Sequence, residues 1–260
     1  MVGLSYKFYN ITKRGEPLAF QYVFKRYEFK YLITKEQKAK LHTLMQEYMQ
    51  PDAYGKTVIR NLYYDTPTYL LIRRSIDKPF YKEKLRVRSY AKAAPDSTVF
   101  IELKKKYDSV VYKRRISMSE SDTSLWLTER KPPVSDSQIK REISYFLNCY
   151  GELAPAVFLS YSREAFFSRD ASGLRITFDD SILCRCEDLS LRSEVYGTEL
   201  LPPGKVLMEI KCIGGMPLWL TGFLSSEKIY KTSFSKYGTA YREIIFPRLK
   251  GEINEYCKNF

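Results

Sequence analysis

Charged and aliphatic residues alternate along several short stretches of this sequence, and this alternation constrains the fold most. Residues 84–106, KLRVRSYAKAAPDSTVFIELKKK, are the clearest case. Arg86 and Arg88 fall on one face, and Leu85 and Val87 fall on the other, because alternate side chains of a β-strand point to opposite sides. The stretch therefore predicts a hairpin with one aliphatic face and one charged face.

Similar strand patterns occur at 24–33, 58–65, 110–118, 156–166, 173–180 and 206–213. Helices are predicted between and after them. One is capped by Thr34 with Gln37 and runs to Pro51, and a short one begins at Thr66-Pro67 and ends near Ser75. Residues 121–150 form two helical pieces, and residues 217–229 and 233–246 form two more. About eight strands with these helices predict one α+β domain built on an antiparallel sheet.

The composition indicates an anionic partner. The 260 residues carry 43 Lys and Arg against 30 Asp and Glu, a net charge of +13. Such an excess fits nucleic acid, an acidic membrane surface or phosphorylated small molecules. We find no apolar run of about 20 residues and no leader pattern, so we expect a cytoplasmic protein or one attached peripherally at the inner face of the membrane.

The charged strand faces have two explanations. An antiparallel sheet commonly exposes one face to water. Alternatively, the sheet curls so that its aliphatic face packs against outer helices and its charged face lines the interior. Arg and Lys recur at the centres of the strands, which favours the second explanation. An empty cationic interior would be costly, so we expect it to hold a polyanion such as a phosphate chain.

Three acidic residues within these faces each precede a lysine by two positions: Glu28, Glu102 and Glu209. A divalent cation, Mn²⁺ or Mg²⁺, would let a carboxylate lie beside a phosphate. The alternative is that each glutamate pairs with a neighbouring Arg or Lys, and for Glu102 both explanations stay open. The single histidine, His42, lies in a predicted helix, so histidine-based acid–base catalysis is not expected.

The ordered motifs RYEFKYLI, NLYYDTP, KLRVRSY, VFIELKKK, YKRRI, SYSREAF, LRITFD, VLMEIK and FSKYGTAY resemble bacterial members of the VTC domain family. These are polyphosphate polymerase domains among the triphosphate tunnel, or CYTH-like, metalloenzymes. The resemblance implies an antiparallel eight-stranded tunnel barrel with helices packed outside, spanning residues 22–250 between an N-terminal arm, 1–21, and a tail, 251–260. It also implies metal-dependent transfer of the ATP γ-phosphate onto inorganic polyphosphate.

The resemblance assigns roles to individual residues. The family's basic phosphate-binding positions match Lys30, Arg86, Arg88, Lys104, Lys113, Arg163, Arg175 and Lys236, which we take as catalytic. We assign substrate binding to Arg115, Tyr161, Lys211 and Ser235. Glu209 matches the family's metal ligand, and Glu102 and Glu28 are further metal candidates.

One position departs from the wider superfamily, whose triphosphatases begin with E-x-E-x-K. Arg26 stands in place of the first glutamate, which favours a polymerase over a triphosphatase. The triphosphatase and a non-catalytic polyanion-binding module remain as alternatives. Nucleic acid is not expected as a partner, because the aromatic residues mostly lie opposite the charges. Any export of product would need a separate membrane-protein partner.

Overall fold

A single antiparallel sheet organises the computed structural model, which describes residues 26–108, 110–133, 135–170 and 172–251. The strands are β1 (Arg26–Thr34), β2 (Met49–Pro51), β3 (Thr57–Asp65), β4 (Tyr81–Ser89), β5 (Thr98–Tyr107), β6 (Val110–Ser119), β7 (Ala154–Ser168), β8 (Arg175–Arg185), β9 (Thr198–Glu199) and β10 (Lys205–Ile213). The helices are α1 (Lys35–Tyr48), α2 (Leu70–Ile76), α3 (Glu120–Glu129), α4 (Gln138–Tyr150), α5 (Leu218–Ser226) and α6 (Lys236–Ala240), which continues as a π-helical turn, Tyr241–Ile245.

Eight strands form a continuous path in the order β1-β10-β8-β7-β3-β4-β5-β6, with β2 paired to β7 and β9 paired to β8. The predicted antiparallel α+β architecture is confirmed. The predicted eight-stranded barrel is not: the sheet has ten strands and is open, since no described residue of β1 pairs with β6. The predicted arm, 1–21, and all but the first residue of the predicted tail, 251–260, lie outside the described residues.

The sheet curls strongly although it stays open. Four strands separate β1 from β4, so a flat sheet would hold them about 24 Å apart. Yet two consecutive residues, Phe234 and Ser235, contact both strands. Lys30 Nζ on β1 donates to the carbonyl of Phe234 at 2.9 Å, and Lys84 Nζ on β4 lies 3.4 Å from Oγ of Ser235. One short segment therefore bridges the two strands, and the face that bears these lysines is concave.

The aliphatic, convex face packs against the outer helices, as the sequence predicts. Helices α1 and α5 cover β1, β10 and β8, where Leu41 and Leu220 pack among Ile33 and Ile210. Helices α3 and α4 cover β4 and β5, where Trp126 and Phe146 belong to the same buried cluster as Leu85, Ile101 and Leu103.

The C-terminal helix α6 lies on the opposite, concave side, which the sequence pattern did not indicate. Tyr237 and Tyr241 are buried together with Tyr63 of β3 and Leu207 of β10. The ring centroids of Tyr63 and Tyr237 are 4.9 Å apart. One part of the concave face is therefore apolar and covered by a helix, and the charged part lies beside it.

Two helix boundaries differ from the prediction. Helix α1 begins with the expected capping box of Thr34 and Gln37, but it ends at Tyr48, and Met49–Pro51 forms β2. Helix α2 begins at Leu70, after Tyr69 in a left-handed conformation, and not at Thr66-Pro67.

The later start of α2 follows from Asp65 at the end of β3. Its buried carboxylate accepts hydrogen bonds from the backbone N–H groups of Leu71 at 2.8 Å and Ile72 at 3.0 Å. It also accepts from Tyr237 Oη at 2.9 Å, so it joins α2 to α6. A carboxylate that satisfies the first N–H groups sets where a helix begins.

We predict that Asp65→Ala lowers the free energy of unfolding by about 2–3 kcal/mol, because it leaves buried N–H groups without an acceptor. Tyr237→Phe, which removes only the phenol hydrogen bond, should cost about 1 kcal/mol. Urea unfolding followed by circular dichroism measures both. Equal losses would contradict the capping role of Asp65.

Candidate functional site

The concave face brings most of the predicted site residues together. Strand pairing sets Lys30 opposite Glu209 between β1 and β10, and Arg86 opposite Glu102 between β4 and β5. Because alternate residues share a face, the predicted residues of these strands point to the same side. They form two clusters, each centred on one buried carboxylate.

The first cluster surrounds Glu209, whose side chain is 9% exposed. Its carboxylate oxygens lie near Lys30 at 3.5 Å, Lys211 at 3.6 Å, and Lys236 and Arg163 each at 3.7 Å. Burial alone would raise the pKa of Glu209, but these cations outweigh burial and hold the pKa well below its ordinary value. Glu209 is therefore an ionised, buried carboxylate.

Asp179 on β8 completes this cluster and was not predicted. It accepts hydrogen bonds from Arg163 Nε at 2.5 Å and Nη2 at 2.6 Å, and from Lys236 Nζ at 2.5 Å. Asp179 is fully buried. This fork geometry fixes the guanidinium and the ammonium groups in place before any ligand binds. The alternation of Asp179 with Phe178 along its strand was the available signal.

The second cluster surrounds Glu102, whose side chain is 1% exposed. Nitrogens of four cations lie close to its carboxylate: Arg86 and Lys113 at 2.7 Å, Arg115 at 3.3 Å and Arg88 at 3.8 Å. Burial would raise the pKa of Glu102, yet Arg86, Arg88 and Lys113 lower it to about 2. This arrangement is that of a counter-ion shared by four basic side chains.

Tyr161 and Ser235 join the two clusters. Arg88 Nη2 donates to the Tyr161 hydroxyl at 3.3 Å, and Lys236 Nζ lies 4.4 Å from the centre of the same ring. Ser235 caps α6 through the Gly238 N–H and meets Lys84. The two clusters therefore belong to one continuous basic surface.

Lys84 is a second residue that the prediction left without a role, although it shares a strand face with Arg86 and Arg88. Burial, together with the positive charges of Lys82, Lys104 and Lys30, lowers the pKa of Lys84 to about 7. A bound anion beside Lys84 would favour its charged form.

The remaining predicted residues lie at the margins of the surface. Arg175 is exposed and lies 3.4 Å from the Asp52 carboxylate. Lys104 is exposed on β5, opposite Lys84 and Lys113. These positions line the approach to the clusters and do not contact either buried carboxylate.

Among the described residues, Glu28 and Glu209 form a suitable binding place for a metal ion. Glu28 lies diagonally to Glu209, and both carboxylates approach the same two lysines: Lys30 is 3.5 Å from each, and Lys211 is 3.9 Å from Glu28. No group of three His, Cys, Asp or Glu capable of holding a metal occurs within the described ranges. Two carboxylates completed by substrate phosphates fit the way in which Mg²⁺ and Mn²⁺ are often bound. Glu102, enclosed by cations, does not fit it.

The concave face of this curved antiparallel sheet is a basic surface built around two buried carboxylates. The model of the VTC domain matches residues 25–245, and the chain belongs to this family. The resemblance drawn from the ordered motifs is thereby confirmed.

A solved structure shares the fold. A crystal structure of a Bacillus halodurans protein, named as a candidate adenylate cyclase, aligns with a TM-score of 0.50 and 16% identity over 84% of this chain and 96% of its own. A Vibrio parahaemolyticus protein of the same description aligns with a TM-score of 0.43 and 13% identity over 83% and 97%. No curated protein matches the sequence. No helix in the described part of the chain has the length and apolarity needed to cross a membrane.

We predict that Glu102→Gln lowers the free energy of unfolding at pH 7 by about 3 kcal/mol, because it leaves buried cations without their counter-ion. Since the pKa of Glu102 falls on folding to about 2, its stabilisation is present above pH ~5 and is lost as the pH falls toward 2.

Urea unfolding from pH 7 to pH 2 tests this prediction. The variant should lose less stability on acidification than the parent. Glu142→Gln, which breaks a partly exposed pair with Arg114, is the control and should cost less than about 1 kcal/mol. If Glu102→Gln and the parent lost the same free energy of unfolding between pH 7 and pH 2, the counter-ion role would be contradicted.

Proposed function

We propose that this protein is an ATP-dependent polyphosphate polymerase that transfers the γ-phosphate of ATP onto a growing inorganic polyphosphate chain. The observation that carries the proposal is the concave surface, on which basic side chains from seven strands and α6 converge and outnumber the carboxylates. A surface of this kind is stable when phosphates occupy it. Membership of the VTC domain family supports the same function.

The reaction needs positioning and neutralisation of charge. A terminal phosphate oxygen of the chain attacks the γ-phosphorus, the bond to the β,γ-bridging oxygen breaks, and ADP leaves. The attacking oxygen is already anionic, so no general base is required. The location of His42 is consistent with a reaction that needs no general base, because His42 lies on α1 and contacts Phe166 and Phe178 outside the basic surface.

The fixed cations supply the electrostatic part of catalysis. Arg163 and Lys236, held by Asp179, and Arg86 and Arg88, held by Glu102, present guanidinium and ammonium groups that do not need to reorganise. Preorganised donors of this kind stabilise charge that develops on transferring phosphoryl oxygens.

Glu209 and Glu28 would hold the divalent ion, Mn²⁺ or Mg²⁺. Such an ion would supply positive charge that neutralises the phosphate oxygens. Lys30 and Lys211, which approach both carboxylates, would bind phosphate oxygens beside them. Glu102 acts in this proposal as a positioning residue for the arginines and not as a metal ligand.

A triphosphatase would use the same surface with water as the acceptor. Arg26 in place of the superfamily's first glutamate favours the polymerase, since it removes one carboxylate from the metal site. ATP and polyphosphate are the proposed partners, and nucleic acid is not. The cytoplasmic location and a separate membrane-protein partner stay predictions.

Incubation with ATP and Mn²⁺ should yield ADP together with a ladder of phosphate chains on a gel. Glu209→Ala should lower this metal-dependent turnover by at least about 100-fold, because it removes the principal carboxylate for the metal. Circular dichroism controls for folding, and Glu28→Ala is the matched variant with a smaller expected loss. Release of orthophosphate without chains would contradict the polymerase, and full activity of Glu209→Ala would contradict the metal assignment.

Binding of tripolyphosphate at pH 8 should take up a proton on Lys84. Its pKa of about 7 leaves it mostly neutral at pH 8, and a neighbouring phosphate favours the charged form. Calorimetry in buffers of different ionisation enthalpy measures the uptake. Lys84→Arg, which stays charged, should reduce the uptake while retaining binding, and equal uptake in both proteins would contradict the prediction.

A further inference from the structure

A row of lysines continues from the basic surface along the β4–β5 hairpin. Strand pairing sets Lys84 directly opposite Lys104, and Lys82 directly opposite Lys106. We call these four residues the hairpin lysine track. All four share the face of Arg86, because they lie two or four positions from it or from its partner Glu102.

The positive charges of the track act on one another. Burial, with the charges of Lys106, Lys104 and Lys78, lowers the pKa of Lys82, and Lys82 and Lys104 in turn contribute to the lowered pKa of Lys84. Directly opposed like charges destabilise a pair of strands. Lys82 is nevertheless held in place, since its Nζ donates to the Ser75 carbonyl at 3.0 Å.

The two ends of the basic surface differ. At the end away from the track, cations have acidic partners: Arg175 lies 3.4 Å from Asp52, and Lys211 lies 3.9 Å from Glu28. Among the described residues, no carboxylate forms an ion pair with Lys82, Lys104 or Lys106. Lys113, which lies opposite Lys104, forms its ion pair with Glu102. The charge of the surface is therefore balanced at one end and unbalanced at the other.

We propose that the hairpin lysine track binds the phosphate chain beyond the reacting group, so that polyphosphate leaves the site along β4 and β5. The proposal rests on the proposed function and adds the direction of the product to it. Lysine suits such a track, because a flexible point charge binds a moving chain without fixing its register, whereas arginine forms directed, bidentate contacts. The arginines lie at the centre of the surface and the lysines lie along the exit.

The test compares binding of tripolyphosphate with binding of polyphosphate tens of units long, without ATP and at fixed salt. The variant is Lys82→Ala/Lys106→Ala, and neither residue belongs to the proposed catalytic set. The control is Lys105→Ala/Lys40→Ala, which removes the same charge, and Lys40 is exposed on α1, on the convex side of the sheet. Lys105 lies between Lys104 and Lys106 on β5, so its side chain points to the other face.

The track predicts that the variant loses about tenfold in affinity for the long chain and less than about twofold for tripolyphosphate, while the control changes neither. In the ATP assay the variant should make shorter chains at an unchanged initial rate of ADP formation. Equal losses for both ligands, or no loss for the long chain, would overturn the proposal.

Two further outcomes separate the track from its alternatives. If the parent protein hydrolyses ATP without making chains, a length-dependent loss of binding still supports the track, while the polymerase proposal fails. Phe80 and Tyr107 are exposed beside Lys82 and Lys106, at the end of the track away from the β4–β5 turn, and their ring centroids are 4.7 Å apart. If the double variant loses binding only to vesicles that contain phosphatidylserine, the track is a membrane surface and the proposal is overturned.

Discussion

Two buried carboxylates allow this sheet to carry a dense basic surface. Glu209 and Glu102 each have four cationic groups within 4 Å, and both are ionised in the folded protein. Without them the arginines and lysines of seven strands would repel one another across strand distances of about 5 Å. With them the cations are held in fixed positions, and some of their charge remains for a ligand.

The two carboxylates balance charge in different ways. Glu102 is enclosed by Arg86, Arg88, Lys113 and Arg115, so it has no side on which a metal and a phosphate could both approach. Glu209 has Glu28 close by, and Lys30 and Lys211 approach both carboxylates. The sequence shows the same E-x-K spacing at both sites. The neighbouring strands separate the counter-ion from the metal candidate, because β1 sets a second carboxylate, Glu28, beside Glu209, whereas β4 and β6 set arginines and a lysine beside Glu102.

The sequence predicted what depends on local periodicity. The charged and aliphatic faces of β4, β5 and β10 follow from alternation, and the capping box of α1 follows from Thr34 and Gln37. What depends on distant contacts was not predictable. Asp65 moves the start of α2 because α6 and β3 meet there, and the short strand β2 replaces the last turn of α1 because β7 offers a partner. The role of Asp179 depends on Lys236, which lies 57 positions away.

The open edge of the sheet explains where its charge is unbalanced. A closed barrel would enclose the basic surface on all sides, and each lysine would face other strands. Here the segment from Phe234 to Tyr237 crosses the concave face and bridges β1 to β4, while β5 and β6 extend past it. Beyond that bridge, Lys104 and Lys106 have neighbouring strands on each side but no acidic side chain opposite. The fold thus pairs arginines with carboxylates at the centre of the basic surface, and on the hairpin side it leaves lysines with no carboxylate partner among the described residues, which is where the proposed phosphate chain would leave.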